Sequence, residues 1–129
     1  MFDALKLNAE QVKQHEEDIR LRVRELSDDQ RKAYFAACKS AIKDPDTYAV
    51  LNWFFVAGLH HMYLEKYLRG GVTLVAMLVG IALLFSILAP LGILIILAIL
   101  TVELMALFRS QTVVADYNNQ VAERILTNL

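Results

Sequence analysis

The sequence predicts an all-α membrane protein organised around a two-helix transmembrane hairpin. Residues 70–102 contain no Asp, Glu, Lys or Arg, and Pro90 and Gly92 interrupt this run. A single helix of that length would extend about 50 Å, whereas the hydrocarbon core of a bilayer is about 30 Å thick. The run must therefore fold back on itself, and charged segments with helical periodicity flank it on both sides.

Residues 1–45 are predicted to form a cytoplasmic helical hairpin. In the first helix Asn8 provides an N-cap signal, and apolar residues recur every seven positions, a pattern that favours packing against one neighbouring helix. These residues are Leu5, Val12, Ile19 and Leu26. The beginning of the chain lacks the basic and apolar regions of a cleaved signal, so we expect the N-terminus to be cytoplasmic.

The second helix is predicted to begin after Ser27, with Gln30 completing a capping box, and to extend to about Lys43. Its apolar stripe consists of Tyr34, Phe35, Cys38 and Ile42. Asp44 and Pro45 should end this helix and start another, because proline is favoured in the first turn of a helix and excluded from its interior.

The membrane domain is predicted over residues 46–109. Its first part is apolar for about 12 residues before His60 and His61 interrupt it. This length is short for a span, and Tyr48 and Trp53 are typical of headgroup depth, so we predict an interfacial or re-entrant helix. A full crossing, which would give three spans, is the alternative.

The two spans are predicted at about residues 72–88 and 91–108, with the reversal at 89–92. Arg69 and Arg109 flank the hairpin at its open end. Because positive charge marks the cytoplasmic side, both termini are expected in the cytoplasm and the protein in the inner membrane. Residues 110–129 are predicted to form a cytoplasmic amphipathic helix with its apolar side at Val114, Tyr117, Val121 and Ile125.

One short motif resembles the signature of the TM-two domain family, over about residues 48–118. The matching positions are Gly58, His60, Tyr63, Leu64 and Gly70. The resemblance implies a small integral membrane protein with a two-helix hairpin and an acidic residue late in the second helix, where Glu103 stands. The resemblance implies no biochemical activity. At His61, Met62 and Glu65 the sequence departs from the family pattern.

Glu103 is the single residue that is most informative about a functional site, because its carboxylate falls within a predicted span. A carboxylate within a span is unfavourable by several kcal/mol unless it is paired, protonated or near the interface. Of three interpretations we favour a polar clasp, which we define as Glu103 held by His60 or His61. The second is a carboxylate that snorkels to the headgroups, and the third is a proton or cation relay. Because adjacent histidines on a helix point about 100° apart, they rarely bind one ion without help from another chain, and no metal site is expected. No HExxH, CxxC or glycine-rich phosphate loop is present, and no cofactor is expected.

Small residues suggest close helix association on two faces of the hairpin. Thr73, Ala76 and Gly80 share one face, and Ala82 with Ser86 forms another. The partner of either face is the other arm of the same hairpin or a second copy of the chain, and we predict a homo-oligomer with the Gly80 face at a subunit contact.

The length, composition and net charge of the chain exclude several classes of function. The chain has 129 residues, 57% of them apolar, and a net charge of −1, which leaves no room for a catalytic domain of ordinary size and no basic surface for nucleic acid. We therefore expect a non-enzymatic inner-membrane anchor or scaffold that self-associates and contacts the bilayer. A protein partner of the cytoplasmic helices is a further expectation, and a small oligomeric ion or proton channel using Glu103 is the alternative function.

Overall fold

The computed structural model describes residues 6–54 and 58–129, and every regular element in these ranges is an α-helix. In chain order the helices are α1 (Ala9–Arg24), α2 (Asp28–Ala41), α3 (Pro45–Phe54), α4 (Leu59–Tyr63), α5 (Tyr67–Leu84), α6 (Ala89–Phe108) and α7 (Ser110–Thr127). Two of them, α5 and α6, are long and apolar enough to cross a membrane. The all-helical class and the two candidate spans are therefore confirmed.

The hairpin reverses earlier than the sequence suggested. Helix α5 ends at Leu84, where the Ser86 hydroxyl donates to the Leu83 carbonyl at 2.8 Å and accepts from the Leu88 amide at 3.1 Å. Pro90 lies in the first turn of α6 rather than in the reversal, because proline fits an N-terminal turn as well as a break. Gly92 is likewise helical and buried, so its predicted role in the turn is wrong.

The start of the first span also differs from the prediction. Helix α5 begins at Tyr67, so Arg69 belongs to its first turn instead of to a preceding loop. Just before this helix Glu65 has a φ of 60°, in the left-handed region.

Helix α7 is the centre of the part outside the hairpin, since α1, α2 and α3 all pack against it. One core cluster unites α7 with α3, α4 and α6: Tyr48, Leu64, Ala106, Val113, Val114, Tyr117 and Val121. A second cluster unites it with α1 and α2: Ile19, Val23, Tyr34, Cys38 and Ala122. The N-terminal and C-terminal segments, which the sequence suggested as separate units, thus share one bundle.

Local capping explains where these helices begin. Asn8 accepts from the Glu10 amide at 2.9 Å, and Ser27 with Gln30 forms the full capping box. Asp44 accepts from the Thr47 amide at 2.9 Å and so caps α3. Of the predicted seam in α1, Val12 and Ile19 are buried; Leu5 lies outside the described residues.

The segment between Pro45 and Leu64 is divided into α3 and α4 rather than forming one long helix. Gly58 precedes α4 with a φ of +100°, in the left-handed region that favours glycine. Helix α3 has 10 residues and α4 has 5, so each is much shorter than the ~20 residues of a span. Residues 55–57 of the predicted apolar segment lie outside the described residues.

Candidate functional site

Three polar side chains from two helices meet beside the candidate spans. Helix α4 contributes His60 and His61, and α6 contributes Glu103 from its last third. Their exposed fractions are 0%, 2% and 2%, respectively, so the group is sealed from the surroundings. The carboxylate therefore has little contact with the surface, where snorkelling would have placed it.

Both imidazoles face the same carboxylate. The His61 Nε2 atom lies 3.0 and 3.1 Å from the two Glu103 oxygens, and the His60 Nε2 atom is hydrogen-bonded to Oε2. The two rings lie 3.9 Å apart at a tilt of 44°. The adjacent histidines therefore do not diverge as expected, since both Nε2 atoms contact one carboxylate.

The direction of these hydrogen bonds follows from the chemistry of the groups. An ionised carboxylate only accepts, so each Nε2 that faces Glu103 donates a proton. The His60 Nδ1 atom is buried and has no hydrogen-bond partner within the described ranges. Burial lowers the pKa of His61, although its hydrogen bond to Glu103 acts in the opposite sense.

Two residues that the sequence analysis did not assign to the site support it from α3. The Asn52 side-chain amide donates to the main-chain carbonyl of Glu103 at 2.8 Å, and Asn52 is itself buried. The Tyr48 ring meets the His60 ring edge-on at 5.3 Å between centroids. An asparagine inside an apolar run was the available signal, because a buried amide needs a partner.

The motif residues occupy structurally constrained positions next to the site. A Cβ atom on Gly58 would lie 2.6 Å from the Gly70 carbonyl oxygen, so the start of α4 approaches α5 closely. The Tyr63 hydroxyl accepts from the Asp44 amide at 3.0 Å, and Leu64 is buried in the core around α7. Together these contacts fix the position of α4, and hence of both histidines.

The two small-residue faces have different surroundings. Thr73 and Gly80 are buried, and a Cβ atom on Gly80 would lie 2.9 Å from the Ile96 side chain of α6. Ala76 is half-buried, whereas Ala82 and Ser86 are exposed. The partner of the Gly80 face is thus the other arm of the same hairpin, which leaves this face unavailable to a second copy.

Comparisons with known proteins add no assignment. No protein-family model matches the chain, and no curated protein or solved structure does. The resemblance to the TM-two domain family therefore stays a prediction based on the motif residues.

Proposed function

We propose that the protein is a non-enzymatic integral anchor of the inner membrane that assembles with copies of itself through its helical bundle. The observation that carries this proposal is an exposed aromatic side chain outside the candidate spans. Phe35 of α2 is 57% exposed, and Ile42 at the end of the same helix is 50% exposed. Both were expected in an apolar stripe, but only the Tyr34 and Cys38 side of that stripe is covered within the chain.

The surroundings of Phe35 favour a second copy as the occupant of this face. Phe35 lines two adjoining hollows of about 440 and 380 Å³, which share Ile19 and Tyr34 as apolar walls. A protruding ring beside a hollow on one face is self-complementary, because a two-fold axis can insert the ring of each copy into the other. Arg20, Arg24 and Arg31 line the first hollow and give the contact a polar rim.

The channel alternative has less support. The Glu103 carboxylate is engaged by two histidines of its own chain, and the exposed Thr101 hydroxyl donates to the Leu97 carbonyl at 2.8 Å. An ion pathway needs polar groups repeated along one face, which neither residue provides.

The self-association test is the mass of the intact complex in mild detergent. We expect an oligomer for the wild type and a shift towards monomer for Phe35→Lys, because the added ammonium would be desolvated beside the three arginines that line the first hollow. Ala36→Lys is the matched control, with the same added charge at the next, exposed position of α2. A wild type that stays monomeric over a range of detergent concentrations would reject the proposal.

The proposed orientation has a separate test. Both ends of the described chain pack in the bundle around α7, and Arg109 donates to the Leu7 carbonyl. In a Cys38→Ser background, single cysteines replace Ala4, Pro90 and Asn128. We expect an impermeant thiol reagent outside intact cells to label only Pro90→Cys. Labelling of Ala4→Cys or Asn128→Cys would contradict the cytoplasmic orientation.

A further inference from the structure

We propose that His60, His61 and Glu103 bind one divalent first-row transition-metal ion, a role that the polar clasp alone does not include. This inference is independent of self-association. It starts from the convergence of two imidazole nitrogens and one carboxylate, whose potential ligand atoms all lie within 4.8 Å of one another.

The spacing of these atoms suits a metal centre. Bonds of about 2.0–2.2 Å to nitrogen and oxygen imply about 3.3 Å between neighbouring ligands of a tetrahedral ion. The His61 Nε2 atom already lies 3.0 and 3.1 Å from the Glu103 oxygens. The His60 Nε2 atom, hydrogen-bonded to the same carboxylate, lies closer than this spacing and must rotate away from Oε2 to admit the ion.

The two imidazole nitrogens and the carboxylate determine which class of metal ion the site would bind. Imidazole nitrogens favour Zn²⁺, Fe²⁺ or Co²⁺, whereas Mg²⁺ and Ca²⁺ prefer oxygen ligands throughout. The Nε2 lone pair of each ring must face the ion, so the proton that each Nε2 donates to Glu103 moves to Nδ1. In His60 this atom has a free lone pair for the proton, but the new N–H is then buried without an acceptor within the described ranges.

Three protein ligands leave one position of a tetrahedral ion open. A cavity of about 200 Å³ adjoins Glu103, with Asn52, Trp53, Leu100, Leu104 and Leu107 as its other lining residues. Glu103 is the one candidate ligand among these lining residues, so the cavity does not establish a path to the ion. Because the three ligand residues are at most 2% exposed, we expect the bound ion to exchange slowly.

The experiment uses the full chain, without a histidine tag, in mild detergent. After chelator treatment the protein is incubated with Zn²⁺, with Fe²⁺ in the absence of oxygen, or with Mg²⁺; it is then desalted, and the retained metal is measured by mass spectrometry. We expect one Zn²⁺ or Fe²⁺ per chain and no retained Mg²⁺. Added Co²⁺ should give the visible ligand-field absorption of a nitrogen and oxygen site.

Variants locate the ion. His61→Asn and Glu103→Gln should weaken Co²⁺ binding about tenfold or more, since even residues behind the ligands have effects of that size. His15→Asn removes the remaining histidine, which contacts Glu123 on the bundle, and should bind Co²⁺ like the wild type.

Measurements on the wild type alone also test the metal site, even if a ligand variant fails to fold. Saturating Zn²⁺ should raise its melting temperature in detergent, because a ligand that binds only the folded state stabilises it. A wild type that retains no transition metal, or His15→Asn protein that loses it, would overturn the proposal. Ligand variants that fold and bind Co²⁺ as tightly as the wild type would overturn it as well.

Discussion

Gly80 and Gly92 face each other across the two candidate spans, so closely that a Cβ atom on Gly92 would lie 2.6 Å from the Gly80 carbonyl oxygen. The atom it would meet belongs to the backbone and cannot rotate away, so Gly92→Ala must push α5 and α6 apart. We expect a loss of about 1–3 kcal/mol, the usual effect of overpacking, measured by unfolding in detergent.

Gly71 provides the matched control for this prediction. It also lies in α5, but a Cβ atom added there would meet nothing within 4 Å. Gly71→Ala should therefore match or exceed the stability of the wild type, because alanine favours a helix over glycine by about 1 kcal/mol. Equal losses for the two variants would contradict the close approach of the spans.

The polar clasp predicts coupling between His60 and Glu103. Glu103→Ala leaves both imidazoles without their acceptor and should lower the free energy of unfolding by about 1–3 kcal/mol. His60→Ala and the double variant complete the cycle, measured with a chelator present. Losses that simply add would show that the residues do not interact. Thr101→Ala, an exposed change in the same helix, should be tolerated.

The pair of Arg22 and Glu123, which joins α1 to α7, predicts an acid dependence of stability. The Arg22 guanidinium donates two hydrogen bonds to the Glu123 carboxylate, that from Nη1 to Oε1 at 2.7 Å, and holds the pKa of Glu123 at about 2, below its ordinary 4.5. A lowered pKa stabilises the fold above pH 4.5, and this stabilisation is lost as the pH falls towards 2.

Glu123→Gln should therefore flatten the acid side of a melting-temperature profile while changing neutral stability only modestly, since both side chains are over a third exposed. Glu16→Gln is the control, because Glu16 pairs with Arg20 inside a single helix. An unchanged slope between pH 4.5 and 2 in Glu123→Gln would contradict the prediction.

Asn118 attaches the connection between α2 and α3 to α7. Its side chain accepts from the Lys43 amide at 2.8 Å and donates to the Lys43 carbonyl at 3.0 Å. Asn118→Ala should increase hydrogen exchange of the Lys43 amide about tenfold, as expected for one lost hydrogen bond of about 1.4 kcal/mol. Gln120→Ala, whose bond to Asp116 stays within α7, should leave that exchange unchanged.

The helix starts that depend on residues close in sequence were predicted best. The capping box of Ser27 and Gln30 and the start of α3 at Pro45 depend on residues a few positions apart, so the sequence contains the whole interaction. The reversal of the hairpin was misplaced because proline is compatible both with a break and with a first helical turn. Only packing between α5 and α6 distinguishes these roles for Pro90 and Gly92.

The site was partly predictable for a related reason. A carboxylate in an apolar helix must find partners, and His60 and His61 were the nearest candidates of suitable chemistry. That both rings reach Glu103 depends on the angle at which α6 passes α4, which helical periodicity within one segment does not contain. The support from Asn52 depends on the same non-local packing.

Because α7 lies at the centre of the bundle, the bundle can form only after α7 has been synthesised. Helices α1 and α2 leave the ribosome before α7, yet Ile19 and Tyr34 share their core cluster with Ala122 of α7. The hairpin is therefore available for membrane insertion before the N-terminal helices have their partner. Until α7 has been synthesised, their apolar faces are open to chaperones and proteases, and a product that lacks α7 would keep them open.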